Sequence, residues 1–232
     1  MPASRFQLHL VTEPRRTADE LIGATALALD GGADWVQLRN KTASAAALYD
    51  EATELQRVAQ QHGALLSIND RVDVALAVGA AGVHLASQSL PVDAAVNLAA
   101  GRLLVGRSVH SLSEARAAAT AGADYLTFGH VFPTTSHPGL PPRGLTELAA
   151  IVQAVDVPVL AIGGITTANL DEVLGTGCAG IAVISAILSD ADPSRAAGRL
   201  RAALDRSTQH PRYPFPTSQR ESHAAHRQPT TV

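Results

Sequence analysis

Between Gln7 and Arg206, short runs of β-branched and large apolar residues alternate with longer alanine-rich stretches in which apolar side chains recur every three or four positions. The short runs read as strands at Gln7–Val11, Trp35–Leu38, Leu65–Ile68, Gly82–Leu85, Leu103–Gly106, Tyr125–Phe128, Val157–Ile162 and Gly180–Ile184. The stretches between them read as helices, among them Ala18–Asp30, Ala43–Gln61, Leu112–Ala121, Gly144–Ala154 and Pro193–Arg206. Several helices finish in glycine-bearing turns such as Gly31-Gly32-Ala33 and Ala121-Gly122-Ala123. Glycine there can take the left-handed conformation that turns the chain back into the next strand.

Eight strand-helix units over residues 1–206 predict one α/β domain, a (β/α)8 TIM barrel. An open doubly wound sheet is the competing architecture, but no Gly-x-Gly-x-x-Gly follows the first strand as a dinucleotide fold requires. Residues 207–232 break the pattern. Pro211, Pro214, Pro216 and Pro229 interrupt them, and only Tyr213, Phe215 and Val232 are large and apolar. A disordered tail is therefore expected, with His210, His223 and His226 solvated rather than arranged around a metal.

Composition narrows the picture. Alanine makes up 43 of 232 residues, which suits helices packed tightly around a narrow barrel. Lys and Arg number 18 against 21 Asp and Glu. The tail holds three arginines against one glutamate, so the net charge of −3 becomes −5 for the body. No overall field draws nucleic acid, and an anionic ligand must be held by a local site. The single Cys178 excludes a disulfide scaffold. No run reaches the ~18 apolar residues of a membrane span, and the first residues lack a signal-peptide layout. The expectation is a cytoplasmic protein without membrane or nucleic-acid partners; a homodimer is compatible with the sequence.

Chemistry in such a barrel sits at the C-terminal ends of the strands. There the chain places Gln37, Arg39, Asn40 and Lys41 after strand two, Asn69, Asp70 and Arg71 after strand three, and His84 in strand four. Arg107, Ser108 and His110 follow strand five, and His130 follows strand six. Gly163-Gly164, with the backbone at Ile184 and Ser185, occupies the position of the phosphate site that many barrels build after strands seven and eight; a plain tight turn is the competing reading. His130 is the candidate acid–base residue, since an imidazole can take and give a proton near neutral pH. His110 reads as structural, beside the helix start Ser111-Leu-Ser-Glu114, where a capping box is expected. Cys178 falls on the opposite face, away from the chemistry.

Val36-Gln-Leu-Arg-Asn-Lys41, Asn69-Asp-Arg-Val-Asp73, Gly82-Val-His-Leu85, Ala161-Ile-Gly-Gly-Ile165 and Gly180-Ile-Ala-Val-Ile-Ser185 resemble the thiamine phosphate synthase superfamily of barrels. Two branches share that scaffold. The synthases join a pyrimidine carried on pyrophosphate to a thiazole phosphate, and their pattern asks for a magnesium-binding carboxylate after strand four and a lysine after strand six. Ser89 and His137 stand at those positions here, while Gln37, Arg39, Lys41, Asn69, Asp70 and Ser108 match. The thiazole tautomerases (TenI type) are similar through Gly106-Arg-Ser-Val-His-Ser-Leu112 and Phe128-Gly-His-Val-Phe132, with His130 where they carry a catalytic histidine.

The resemblance thus implies, first, an isomerase that aromatises a carboxylated thiazole phosphate with His130 as proton shuttle and no metal or other cofactor. Gln37, Arg39, Lys41, Asn69, Ser108, Thr134, Gly163, Gly164, Ile184 and Ser185 would bind that substrate. Within this set the phosphate falls to the amides of Gly164, Ile184 and Ser185, and Arg39 or Lys41 is a cation available to the carboxylate. The alternatives are a synthase, which would require Mg2+, and a regulatory barrel that binds a thiamine-pathway phosphate without catalysis.

Overall fold

A computed structural model of the protein describes residues 6–13, 17–136 and 138–216. The eight strands are β1 (Gln7–Val11), β2 (Trp35–Leu38), β3 (Leu65–Asn69), β4 (Gly82–Leu85), β5 (Leu104–Val109), β6 (Tyr125–Gly129), β7 (Val159–Ile162) and β8 (Gly180–Val183). All pair in parallel in sequence order, and β8 closes on β1 through Leu8 opposite Ile181 and Leu10 opposite Val183. The expected (β/α)8 barrel is the fold. Between and after the strands lie α1 (Ala18–Asp30), α2 (Ala45–Gln61), α3 (Val72–Val78), α4 (Val92–Ala99), α5 (Leu112–Thr120), α6 (Gly144–Ala154), α7 (Leu170–Leu174), α8 (Ser185–Leu188) and α9 (Pro193–Arg206).

Local chemistry sets the element ends. Thr17 and Glu20 form a reciprocal capping box at the start of α1, and Ser44 caps α2 by accepting from the Ala47 amide at 3.2 Å. α2 therefore begins two residues later than its apolar pattern suggests. β5 runs three residues further than its apolar run, so Arg107 and Ser108 lie within the strand instead of after it. β7 begins only at Val159; the preceding Pro158 has no N–H to donate, and its carbonyl accepts from Leu126.

Apolar faces of the helices and the outer faces of the strands form the main core. A second cluster fills the lower end of the barrel: Trp35, Leu104, Tyr125, Leu160, Ala179 and Phe215. Gly106 on β5 has no room for a side chain, since a Cβ there would stand 2.1 Å from the Tyr125 ring. His9 stacks on Trp35 with ring planes 3° apart. Phe215 meets His9 and Tyr125 with ring centroids 4.8 Å away in each case.

The sequence reading places Phe215 in the tail, yet the packed chain continues past Arg206. The Arg212 amide donates to Gly177 O at 2.9 Å, its guanidinium donates to Gln153 Oε1, and the Tyr213 hydroxyl donates to Asp156 Oδ1. These bonds deliver the Phe215 ring to the barrel bottom, where it is only 5 % exposed. His210 is exposed at the surface, whereas His223 and His226 lie outside the described residues. Phe215→Ala should lower the unfolding free energy by about 3 kcal/mol in urea titrations, and a chain ending at Arg206 by at least as much; unchanged stability in both would show that the ring is not part of the core.

Candidate active site

At the C-terminal end of the barrel the strands present a connected polar surface. Gln37 at the end of β2 donates from Nε2 to Asn69 Oδ1 on β3 at 3.0 Å, and Asn69 Nδ2 donates to Asp70 Oδ2 at 2.6 Å. Asp70 adopts a left-handed backbone, φ +64°, which a short polar side chain tolerates. Its other carboxylate oxygen accepts from the Ala86 amide at 3.0 Å and from the Ser89 hydroxyl. Arg107 reaches across from β5 to donate to the Ala86 carbonyl at 2.6 Å. Four strand ends or following loops are thereby tied through side chains that are buried (Gln37, Asn69) or half-buried (Asp70, Ser89, Arg107).

The loop after β2 carries the nearest cations. The Arg39 amide donates to the Thr12 hydroxyl at 2.9 Å, anchoring the loop to the end of β1. Asn40 Oδ1 accepts from the amides of Thr42 and Ala43, folding the loop so that Lys41 is exposed and Arg39 half-buried. Arg71 is engaged elsewhere: Nε and Nη2 make a two-pronged pair with Asp73 at 2.8 and 2.5 Å, which holds the Asp73 carboxyl below its ordinary pKa.

The loops after β6 and β7 are interlocked. The Gly129 carbonyl accepts from His110 Nδ1 at 2.9 Å and Arg143 Nε at 3.1 Å. Val131 and Phe132 amides donate to the carbonyls of Ile162 and Gly163. His130 is 7 % exposed, with Nε2 3.3 Å from the Leu140 carbonyl. Gly163 and Gly164 have positive φ, and a Cβ on either would stand within 2.5 Å of His130 Cβ or the Pro133 carbonyl respectively. The glycine pair thus has a packing reason as well as its position above β7. Thr134 is half-buried in the β6 loop, Ile184 is half-buried and Ser185 exposed at the start of α8. His137, the residue at the family's lysine position, lies outside the described residues.

The expected capping box at α5 forms in altered form. Ser111 accepts from the Glu114 amide, but the Glu114 carboxylate accepts from the His110 amide at 2.7 Å, one residue upstream of the cap. This pins the backbone of His110 while its ring holds Gly129, in keeping with a structural role. Cys178 is fully buried, its thiol pushed up to about 11 by burial, and is no nucleophile.

Below the mouth sits a group the sequence signals only by its place in β4. His84 Nε2 lies 2.8 Å from Ser108 Oγ and Nδ1 lies 3.2 Å from the Tyr125 hydroxyl. Burial lowers the His84 pKa to about 4, with Asp70 opposing that shift and Arg107 adding to it. Burial lowers His9 further, to about 3, with a contribution from His84. Sequence reasoning also leaves Asp70, Thr12, Arg107 and Arg143 outside the binding set. For Asp70 a usable signal was present, its place beside Asn69 at the end of a strand; Thr12 and Arg143 carry none, since their roles arise from contacts 27 and 14 residues away in sequence.

A family model described as thiamine monophosphate synthase (TMP-TENI) matches residues 8–187. The chain belongs to this family. A thiamine-phosphate synthase of Chlorobium limicola is 42 % identical over 213 residues, covering 91 % of this chain and 100 % of that protein. One from Chloroflexus aurantiacus is 48 % identical over 178 residues, covering 76 % of this chain and 82 % of its own. The solved thiamine phosphate pyrophosphorylase of Pyrococcus furiosus superposes with TM-score 0.80 at 40 % identity, covering 87 % of this chain and 96 % of that one.

These relatives of the TMP-TENI family overturn the thiazole tautomerase expectation, and the isomerase class with it. The structure supplies a physical reason for the misreading. His130 does follow β6, but it is buried, with the Leu140 carbonyl of its own loop 3.3 Å from Nε2 and Gly163 packed against its Cβ. Among the described residues no helix is long and apolar enough to cross a membrane.

His9 and His84 are neutral in the folded protein but titrate near 6.5 when exposed. Below pH 6.5 the unfolded chain therefore binds protons that the folded chain refuses, and stability falls as pH drops toward the depressed folded values, by up to about 1.4 kcal/mol per pH unit for each ring. In urea unfolding at pH 7 and pH 5, His84→Gln should lose less stability between the two conditions than wild type does; an equal loss would mean that His84 is not held neutral.

Proposed function

We propose that this protein is a thiamine-phosphate synthase, joining a pyrimidine carried on pyrophosphate to a thiazole phosphate. The observation that carries this reading is the identity of 42 % along the whole length of a thiamine-phosphate synthase, together with a mouth that retains Gln37, Arg39, Lys41, Asn69, Asp70 and Ser108. In the reaction the thiazole nitrogen bonds to the carbon that pyrophosphate leaves, and pyrophosphate departs with the electron pair. The chain's task is to hold both substrates in line and to stabilise the charge that develops on the leaving group.

Arg39 and Lys41 are assigned to the pyrophosphate, on a loop that Thr12 and the Asn40 turn hold in place. Gln37 and Asn69, paired with each other, form a rigid amide surface beside it. The thiazole phosphate is assigned to the backbone at Gly163, Gly164, Ile184 and Ser185, flanked by Thr134, the place where barrels commonly bind phosphate. His130 and Arg143 support the wall between these two regions through the β6 loop.

The donor set also bears on Mg2+. Among the described residues no cluster of three or more His, Cys, Asp or Glu side chains could hold a metal. Asp70 is nevertheless a fitting anchor, because Mg2+ is commonly bound by one or two carboxylates with substrate phosphates and waters completing its shell. Ser89 at the second carboxylate position thus weakens a metal site without abolishing it. A bound Mg2+ would supply charge neutralisation for the departing pyrophosphate.

Incubating the protein with the pyrimidine pyrophosphate, thiazole phosphate and Mg2+ should yield thiamine phosphate and free pyrophosphate; no product under conditions that support a known synthase would overturn the reading. Asp70→Ala should reduce kcat/KM by on the order of 100-fold or more, the size of losing one electrostatic stabiliser. Ser89→Asp should lower the Mg2+ concentration giving half-maximal rate, measured by metal titration at saturating substrates.

A further inference from the structure

A continuous chain of hydrogen-bonding groups runs from the barrel interior to the mouth. Tyr125 at the bottom of β6 bonds His84 on β4, and His84 bonds Ser108, a half-buried residue near the C-terminal end of β5. His84 is 2 % exposed and Tyr125 1 %. Resting on the synthase reading for the role of Ser108, we infer that His84 is a positioning residue, locked by Tyr125 as the Nε2–H tautomer, which makes Ser108 a hydrogen-bond donor toward an acceptor atom of the substrate.

The polarity follows from relative acidity. A neutral imidazole has one N–H donor and one bare nitrogen acceptor. The phenol of Tyr125 is the strongest acid among the hydroxyls present, and the bare imidazole nitrogen is a far better acceptor than an alcohol oxygen. Tyr125 therefore donates to Nδ1. Burial raises the phenol's pKa, and the Ser67 hydroxyl, which also donates to the Val36 carbonyl at 3.5 Å, meets the phenol oxygen but offers only an alcohol oxygen, a weaker acceptor for the phenol proton than the imidazole nitrogen. With Nδ1 occupied as acceptor, the imidazole proton sits on Nε2 and is donated to Ser108 Oγ at 2.8 Å. His84 is the hydrogen-bonding partner of Ser108 Oγ among the described residues, so the serine's own proton is directed outward into the mouth. Of the charged groups facing His84, Asp70 favours and Arg107 disfavours a protonated ring, and burial outweighs both.

The opposite tautomer would make a different site. Nε2 would accept from Ser108, turning the serine oxygen toward the mouth as an acceptor. The packing of Tyr125 against Trp35, Phe215 and the bare backbone of Gly106 keeps the phenol within hydrogen-bonding reach of Nδ1, and the relative acidity of the groups selects the first arrangement.

Two measurements test this. In 15N NMR of the ligand-free, histidine-labelled protein, His84 should show a protonated Nε2 and an unprotonated Nδ1, and Tyr125→Phe should move both nitrogens toward the averaged range; a protonated Nδ1 in wild type would overturn the proposal. In steady-state assays of thiamine phosphate formation, His84→Leu should reduce kcat/KM by on the order of 10- to 100-fold, the scale of one misdirected buried hydrogen bond. His84→Gln, whose amide can still donate to Ser108, should lose less. In a Ser108→Ala background both His84 variants should cause less than about a twofold further loss, because the group they position is gone; a full, additive loss there would mean that His84 acts through the fold and not through Ser108. If wild type makes no thiamine phosphate, the synthase reading fails, and the NMR measurement still decides the tautomer.

Discussion

A closed barrel of eight parallel strands encloses a narrow space that only side chains can fill, and every polar group placed in that space must find a partner or stand unpaired out of water. The rest of this protein is arranged around that constraint. The lower end is filled by Trp35, Tyr125, Leu104 and Leu160 from the strands and by Phe215 from beyond the last helix. Gly106 surrenders its side chain so that the Tyr125 ring can lie against β5. The level above is polar, with His84 bridging Tyr125 and Ser108. Not every group is satisfied: His9 Nε2 and Trp35 Nε1 have no hydrogen-bond partner among the described residues, and the two rings stack instead. The floor of the mouth is thus a side-chain layer held from beneath by aromatic packing.

Upon that floor the loops are braced by each other. Thr12 holds the Arg39 backbone, Asp70 gathers Asn69, Ala86 and Ser89, and Gly129 takes two side-chain donors from different loops. Such cross-bracing suits a site whose work is alignment and charge stabilisation, since catalytic gains of that kind depend on geometry held before the substrates arrive. It also explains why a histidine after β6 need not be a proton shuttle. The His130 that a sequence diagram presents to the mouth is buried in three dimensions, with Nε2 beside the Leu140 carbonyl of its own loop.

Charge follows a similar logic. The body is acidic, yet Arg39 and Lys41 stand at the mouth as the cations proposed for the pyrophosphate, while Arg107 donates to the Ala86 carbonyl and Arg71 pairs with Asp73. A departure from the family pattern at Ser89 reads from sequence as a missing metal anchor. In the structure the serine hydroxyl bonds the remaining carboxylate of Asp70, so the position still belongs to the same corner of the mouth. The close relationship to thiamine-phosphate synthases is consistent with a metal requirement that one carboxylate and substrate oxygens can meet.

The sequence by itself determined the barrel, because alternation of strand and helix patterns depends on local periodicity, and it determined which strand ends are polar, because those residues follow each apolar run directly. Gln37, Arg39, Asn69 and Ser108 were legible for that reason. Tertiary structure alone decided that β5 extends through Ser108, that Phe215 completes the core from a proline-rich segment and that His130 is buried. Each of those outcomes depends on contacts between residues distant in sequence or on the path of a loop, and neither leaves a periodic trace in the chain. The same holds for His84: its place in β4 is written in the sequence, but the hydroxyls that bracket it are 24 and 41 residues away and meet it only when the sheet closes.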